Sequence, residues 1–263
     1  MANPAPLDFA HQLAEMSALQ DVAALQVMPL LGDMGASVKL CGGTALSRFY
    51  LQHRISYDLD FFVPLDLRFD AQALANTIST KLEFFSLELT HDPVKADPLH
   101  FLLQVKGAVV KISFIEDAYA ALYPPVDSSM VIAGKAVQTE PLAGLYHRKL
   151  RTVVGWADSL AIAPAGGRQT ARDMFDLYVL SNQGVPLRAF IESVPYAFPT
   201  MAFEDGLANM PWWELAIELK ETLCAPQWAD GVDIEKLQKS LYQQLGMTEL
   251  PGDDFQDTFT HAD

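Results

Sequence analysis

Asp58 and Asp60 stand two apart, a short segment downstream of the paired glycines Gly42 and Gly43. On an extended strand, residues two apart point to the same side, so these two carboxylates lie side by side while Leu59 turns inward. Carboxylates that close repel each other unless a proton or a cation intervenes. Hard oxygen ligands suit Mg²⁺ or Mn²⁺. Paired glycines between a strand and a helix let the backbone approach a phosphate closely, with the helix N-terminal amides facing the anion. The hydroxyl of Thr44 adds a donor. Either motif alone has a plain reading, as a tight turn or as a solvated strand edge. The combination is different, because Asp58 and Asp60 sit among Tyr57, Leu59, Phe61 and Phe62, where an unliganded carboxylate bears a desolvation cost. Gly42, Gly43 and Thr44 therefore read as a cradle for a nucleotide's phosphates. Asp58 and Asp60 read as ligands of a metal that bridges those phosphates during transfer.

The elements that must hold these residues are visible in the hydrophobic pattern. Helical spacing of Leu13, Met16, Leu19, Val22, Leu25 and Val27, interrupted at Gly32 and Gly35, predicts two helices over residues 7–34. Residues 37–41 read as a strand entering the glycine turn, 45–52 as a helix leaving it, and 57–63 as the strand that carries the aspartates. Asp70 is placed to cap a helix over 71–82. Three apolar runs, 85–90, 99–105 and 108–115, read as strands, the last two joined at Lys106-Gly107 as a hairpin. A strand pair over 130–139 then leads into long helices at 142–154 and 170–180, separated by a loop with Pro164, Gly166 and Gly167, and shorter proline-punctuated helices follow. The pattern is α+β: a mixed sheet with helices, then a mainly helical C-terminal region. It divides into a core with N-terminal helices at 1–135, a helical domain completing the site at 136–250, and an acidic tail at 251–263.

The 263 residues are half apolar, an ordinary globular composition, and carry a formal net charge of -15. So acidic a surface repels a polyanion, and a nucleic-acid acceptor requires a local basic patch. No apolar run approaches the roughly 20 residues that span a bilayer, and residues 1–15 lack the basic start and apolar stretch of a signal peptide. A cytoplasmic protein without membrane contact is expected. Cys41 and Cys224 belong to no CxxC or Cys/His cluster and read as core residues rather than zinc ligands or a disulfide.

The segment GGTALSRFYLQHRISYDLDFF, residues 42–62, resembles the signature of the AbiEii/AbiGii-type nucleotidyltransferase toxin family, within the DNA polymerase β-like nucleotidyltransferase superfamily. A second stretch, HRKLRTVVGWA from His147, a loop with Arg168, then ARDMFDLYVL ending at Leu180, is similar to the family's Lys and Arg-Asp motifs. The resemblance implies a small mixed sheet with helices, a bound nucleoside triphosphate, and transfer of a nucleotidyl group to an acceptor hydroxyl. In some relatives the acceptor is RNA such as a tRNA 3′ end, and the enzyme is the toxin of a toxin-antitoxin pair, which implies an antitoxin partner. By motif, Gly43 and Thr44 would contact phosphate, Asp58 and Asp60 would hold Mg²⁺, and Lys149 and Asp173 would complete the site. Arg172 would bind phosphate or brace Asp173 through a bidentate pair.

Some positions stay open at this level. Lys149 is also one of several neighbouring cations, with His147, Arg148 and Arg151. Asp173 and Asp176 nearly share a helix face, and Asp173 is preferred for the site while one of the two pairs with Arg172 or caps a neighbour. His53 and Arg54 either reach a phosphate or close the loop before the aspartates. Lys111 shares a strand face with Ser113. His100 and His147 carry no assignment. The superfamily's third carboxylate, usually the general base, maps onto Ser113. Glu116, Asp117 or Asp173 would then have to replace it, or turnover is slow or lost. The alternative reading is a nucleotide-binding module of the same fold with weak or no transferase activity. An RNA acceptor would require Arg148, Lys149, Arg151, Arg168 and Arg172 to gather into one basic patch.

Overall fold

Period-two alternation decides the sheet. Along β2 (Leu59–Pro64) every second residue is buried, and the same alternation runs along β4 (Leu99–Val105). The computed structural model describes residues 6–65, 69–89, 99–117, 119–132, 134–154 and 171–247. Within them these two strands join β1 (Lys39–Cys41), β3 (Phe84–Leu89), β5 (Ala108–Asp117), β6 (Val126–Ile132) and β7 (Lys135–Thr139) in one mixed sheet, ordered β3-β4-β5-β2-β1-β7-β6. β2 runs parallel to β5 and antiparallel to β1, while β1 runs parallel to β7. One face of the central strands is core: Leu59, Phe61, Phe101, Ile112 and Phe114 are all fully buried there, with the Phe61 and Phe114 rings stacked at 5.7 Å. The other face carries Asp60, Phe62, Ser113 and His100.

The expected hairpin is present. β4 and β5 are joined at Lys106 and Gly107, both at positive φ, as a twist-compatible two-residue turn requires. Asp70 caps α3 (Ala71–Lys81), accepting from the Ala73 amide at 2.8 Å. The N-terminal segment forms α1 (Pro6–Val27) and a tighter 3₁₀ stretch (Met28–Ala36) that breaks helical geometry at Gly32. The helix after the glycine turn differs from expectation: α2 covers only Gly42–Ala45, and the chain continues as a π-helical turn over Leu46–Leu51 that ends at Gln52 in the left-handed region. The strand bearing the aspartates starts at Leu59, so Asp58 lies on its lead-in.

The change in character comes after β7, where Thr139 ends the sheet and α4 (Leu142–Val154) begins. α5 (Ala171–Gln183), α6 (Leu187–Ser193), α7 (Thr200–Ala208), α8 (Trp212–Lys220) and α9 (Ile234–Leu245) follow. Phe175, Leu177, Phe203, Leu219 and Leu241 are fully buried and belong to the same apolar core as the sheet residues. Cys41 and Cys224 are buried and unbridged, as expected. Trp212 is half-buried whereas Trp213 is largely exposed. The loop with Pro164 and Gly166, Arg168 and the acidic tail at 251–263 lie outside the described residues.

Candidate active site

Both glycines of the turn lie directly against ionisable side chains. Gly42 has φ 68°, and a Cβ there would stand 2.6 Å from the Asp60 Oδ2 atom. A Cβ at Gly43 would overlap the Arg54 guanidinium. The backbone thus runs directly against one carboxylate and one buried cation, a close approach open only to glycine. Thr44 is buried, and its hydroxyl donates to the Asp58 carbonyl. From α1, the buried amide of Gln20 donates to the Thr44 hydroxyl at 3.4 Å and to the Ser56 carbonyl at 2.8 Å. The Thr44 side chain therefore fastens the lead-in of β2.

Asp58 and Asp60 are both half-buried at the open face of the sheet. Asp60 is in register with Cys41 on β1 and with Ser113 on β5. Among the described residues no group of three or more His, Cys, Asp or Glu forms a ready metal cage. Two carboxylates beside a glycine turn nevertheless fit Mg²⁺, which keeps several waters and takes much of its shell from substrate phosphates. Among the described residues, then, Asp58 and Asp60 are the pair suited to hold it.

Behind the turn lies a buried ion cluster. Asp176 of α5 is fully buried and receives Arg54 Nε at 2.6 Å and Nη2 at 2.8 Å, His53 Nε2 at 2.6 Å, and Lys149 Nζ at 2.8 Å. Lys149, from α4, also contacts Asp173. Burial by itself would raise the Asp176 pKa, but the Arg54 and Lys149 charges and the hydrogen bonds from Arg54 and His53 hold it well below the usual carboxylate range. Burial works against the Lys149 charge, yet Asp173 and Asp176 raise its pKa above the ordinary value. Burial outweighs the hydrogen bond and charge of Asp176 at His53 and lowers its pKa. Arg54 feels Asp176, Asp173 and Asp58 together, which ties the aspartate pair electrostatically to the α4–α5 charges. His53 and Arg54 thus close the loop in the structure, by anchoring it to α5.

A second cluster occupies the same face further along β1. Lys39 meets Asp117 at 2.9 Å and Glu140 at 3.3 Å, while Arg148 meets Asp117 at 2.7 Å and also binds Glu140. The Arg148 guanidinium lies 4.1 Å from the Phe62 ring centre, a cation–π contact. Asp117 is therefore committed to structure. Burial favours its neutral form, but Arg148 and Lys39 lower its pKa. Glu116 pairs with Val63 and lies exposed on the opposite side of the sheet from Asp60. Neither residue is placed to stand in for a carboxylate at Ser113, which is in register with Asp60.

The structure brings together Gly42, Gly43, Thr44, Asp58 and Asp60, and joins Lys149 and Asp173 to them through Arg54. Arg172 stands apart from this set: its Nε lies 3.9 Å from Glu218, and it lines a small cleft of about 210 Å³ with Tyr57 and Glu221. Among the described residues, four of the five cations required for RNA contact do not form one patch. Arg148 and Lys149 are consumed by buried acids, Arg172 sits beside Glu218, Arg151 is half-buried, and Arg168 lies outside the described residues. Sequence reasoning missed Gln20, Lys39 and Glu140 altogether, since no local pattern marks a polar residue buried by a distant partner.

The profile of the family described as nucleotidyl transferase AbiEii toxin, type IV TA system, matches residues 35–233. The search of curated proteins finds no match. Among solved structures, the nucleotidyltransferase toxin MenT4 from Mycobacterium tuberculosis is similar at 16% identity and a TM-score of 0.52, over 93% of this chain and 91% of that one. JHP933 from Helicobacter pylori is similar at 16% identity and a TM-score of 0.46, over 88% of this chain and 91% of that one. With the glycine turn, the aspartate pair and the sheet in place, and the profile covering most of the sequence, this chain belongs to the AbiEii family of nucleotidyltransferase toxins.

Proposed function

We propose that the protein transfers a nucleotidyl group from a Mg²⁺-bound nucleoside triphosphate to an acceptor hydroxyl, acting in the cytoplasm as the toxin of a pair with a cognate antitoxin. The observation that carries this reading is the close approach of the glycine turn to Asp60, because backbone amides suited to a phosphate and a carboxylate suited to a metal meet there. When bound, the metal would neutralise charge on the triphosphate. Gly42, Gly43 and the amide of Thr44 seat the phosphates, and Asp58 and Asp60 hold the metal. Lys149, at the rim of its cluster, offers a compact cation to the triphosphate, and Asp173 orients it. Arg54 and Asp176 position the turn from below, and Arg172 borders the site through the Tyr57 cleft.

The division that accompanies this reading is a nucleotidyltransferase core followed by a helical region that supplies Lys149 and Asp173. Counting β7 with the sheet it pairs into, the core runs to Thr139. The engagement of Arg148 and Lys149 with buried acids favours an acceptor recognised by shape and hydrogen bonding over one drawn in by a basic track.

The test is calorimetric titration of each nucleoside triphosphate with Mg²⁺ into the wild type and Asp58→Ala/Asp60→Ala, then incubation with labelled nucleotide and total RNA. Metal-dependent binding abolished in the double variant, with label on RNA, supports the reading and its RNA form. Binding without transfer to any cellular fraction favours the second reading, a nucleotide-binding module, which Ser113 beside Asp60 motivates. Absence of binding defeats both.

A further inference from the structure

Strand register sets out a row of side chains across the open face. Asp60 on β2 stands opposite Ser113 on β5, Ser113 opposite His100 on β4, and His100 opposite Glu88 on β3. Directly paired residues share a face with Cβ atoms about 5 Å apart, and the burial of Leu99, Phe101, Ile112 and Phe114 confirms that the other face is core. His100 Nε2 lies 3.1 Å from Glu88 Oε2. The row therefore reads carboxylate, hydroxyl, imidazole, carboxylate, and it starts at the proposed metal site.

We propose that His100, oriented by Glu88, is the general base of the transfer, with Ser113 as the relay in the place where the superfamily keeps a carboxylate. This rests on the nucleotidyltransferase reading given above. A glutamate accepting from Nε2–H fixes the tautomer whose Nδ1 carries the lone pair and stabilises the imidazolium that forms. His100 stands one strand spacing, about 4.8 Å, further out than Ser113, and Ser113 stands between it and Asp60. The acceptor hydroxyl gives its proton to the Ser113 oxygen as Ser113 gives its own to His100 Nδ1. The acceptor oxygen forms its bond to the α-phosphorus, and the bond to pyrophosphate breaks, with pyrophosphate taking the electron pair. Glu116 faces away and Asp117 is locked by Lys39 and Arg148, so within this strand the role falls to the row itself.

The experiment compares single-turnover transfer of labelled nucleotide into whole-cell extract by the wild type, His100→Asn, Glu88→Gln, Ser113→Asp and the His100→Asn/Ser113→Asp pair. Mg²⁺-nucleotide affinity and thermal melting are measured on each. We expect His100→Asn to slow transfer about 100-fold or more with nucleotide affinity and melting unchanged, Glu88→Gln to slow it less, and Ser113→Asp to restore the rate in the His100→Asn background. Transfer by His100→Asn at a rate near the wild type overturns the proposal while leaving the enzymatic reading intact. A His100→Asn defect that Ser113→Asp does not relieve, or that comes with lost affinity or melting, assigns His100 a structural role and overturns it also. Wild-type protein that binds no nucleotide removes the underlying reading, and this inference with it.

Discussion

Arg148 and Lys149 are neighbours on α4 and enter two different ion clusters, and the clusters are built to different ends. The Arg148 cluster contains two cations, Lys39 and Arg148, against two acids, Asp117 and Glu140, and both acids are shut off from solvent. It is charge-balanced and bound to the Phe62 ring, with the Arg148 side chain 15% exposed. In the Lys149 cluster Asp176 is 0% exposed and holds Arg54 and His53, while Lys149 and Asp173 are 8% and 7% exposed. The difference lies in the partners: the Arg148 cluster braces β1, β5 and α4 against one another, whereas the proposed function asks Lys149 to trade part of its contact with Asp173 for a phosphate.

Breaking the Arg148 cluster gives the largest expected effect. Arg148→Ala leaves Asp117 and Glu140 facing each other in the interior and should lower stability by about 3–5 kcal/mol, read from chemical denaturation. A loss below about 1 kcal/mol would mean that solvent reaches the cluster. Lys149→Met should separate function from fold: transfer falls by about 100- to 1,000-fold, while Asp176 keeps Arg54 and His53 and the protein still melts cooperatively. Equal damage to folding from both substitutions would erase the distinction between the clusters.

Acid should act on the Arg148 side in a defined window. His147, packed against Tyr119, Tyr123 and Tyr196 with Nε2 2.7 Å from the Tyr196 hydroxyl, has its pKa lowered to about 4 by burial and by Arg148 and Arg151. The unfolded imidazole takes its proton near pH 6.5. Between pH 6.5 and 4 the unfolded state therefore binds more protons, and stability falls as pH falls, by at most about 1.4 kcal/mol per pH unit. His147→Gln should flatten that slope in denaturation curves taken across the window. Asp176 and Asp117, both depressed, hold their contribution until the pH drops below the ordinary carboxylate range. The smallest expected effect is that of Thr44→Val, which removes the hydroxyl bond to the Asp58 carbonyl and should cost about 1 kcal/mol while weakening metal binding, measured by Mn²⁺ titration. Unchanged metal affinity would show that the Asp58 lead-in is held without Thr44.

Sequence reading was strongest where a structural cause is local. A glycine pair, a period-two strand, an Asp N-cap and a Lys-Gly hairpin each depend on neighbours within a few positions, and each is found where expected. Contacts far along the chain are another matter. The Thr44 hydroxyl donates to the Asp58 carbonyl, and Arg172 lies beside Glu218. Asp176, ranked behind Asp173, turns out to anchor the loop before the aspartates. The π-helical turn after Ala45 was also illegible, because its hydrophobic spacing fits an ordinary helix.

What the sequence by itself determined is the chemistry available: two carboxylates of fixed spacing, a glycine turn with no Cβ in the way, and an α+β order of elements. Short-range sterics and side-chain periodicity suffice for those. Only the tertiary structure decided which charges remain at the surface and which cancel inside. Arg54 meets Asp176 across 122 positions, Lys39 meets Glu140 across 101, and the row from Asp60 to Glu88 exists only through strand register. Such pairings arise because buried charges must find partners wherever folding brings them, and no local pattern along the chain records that choice.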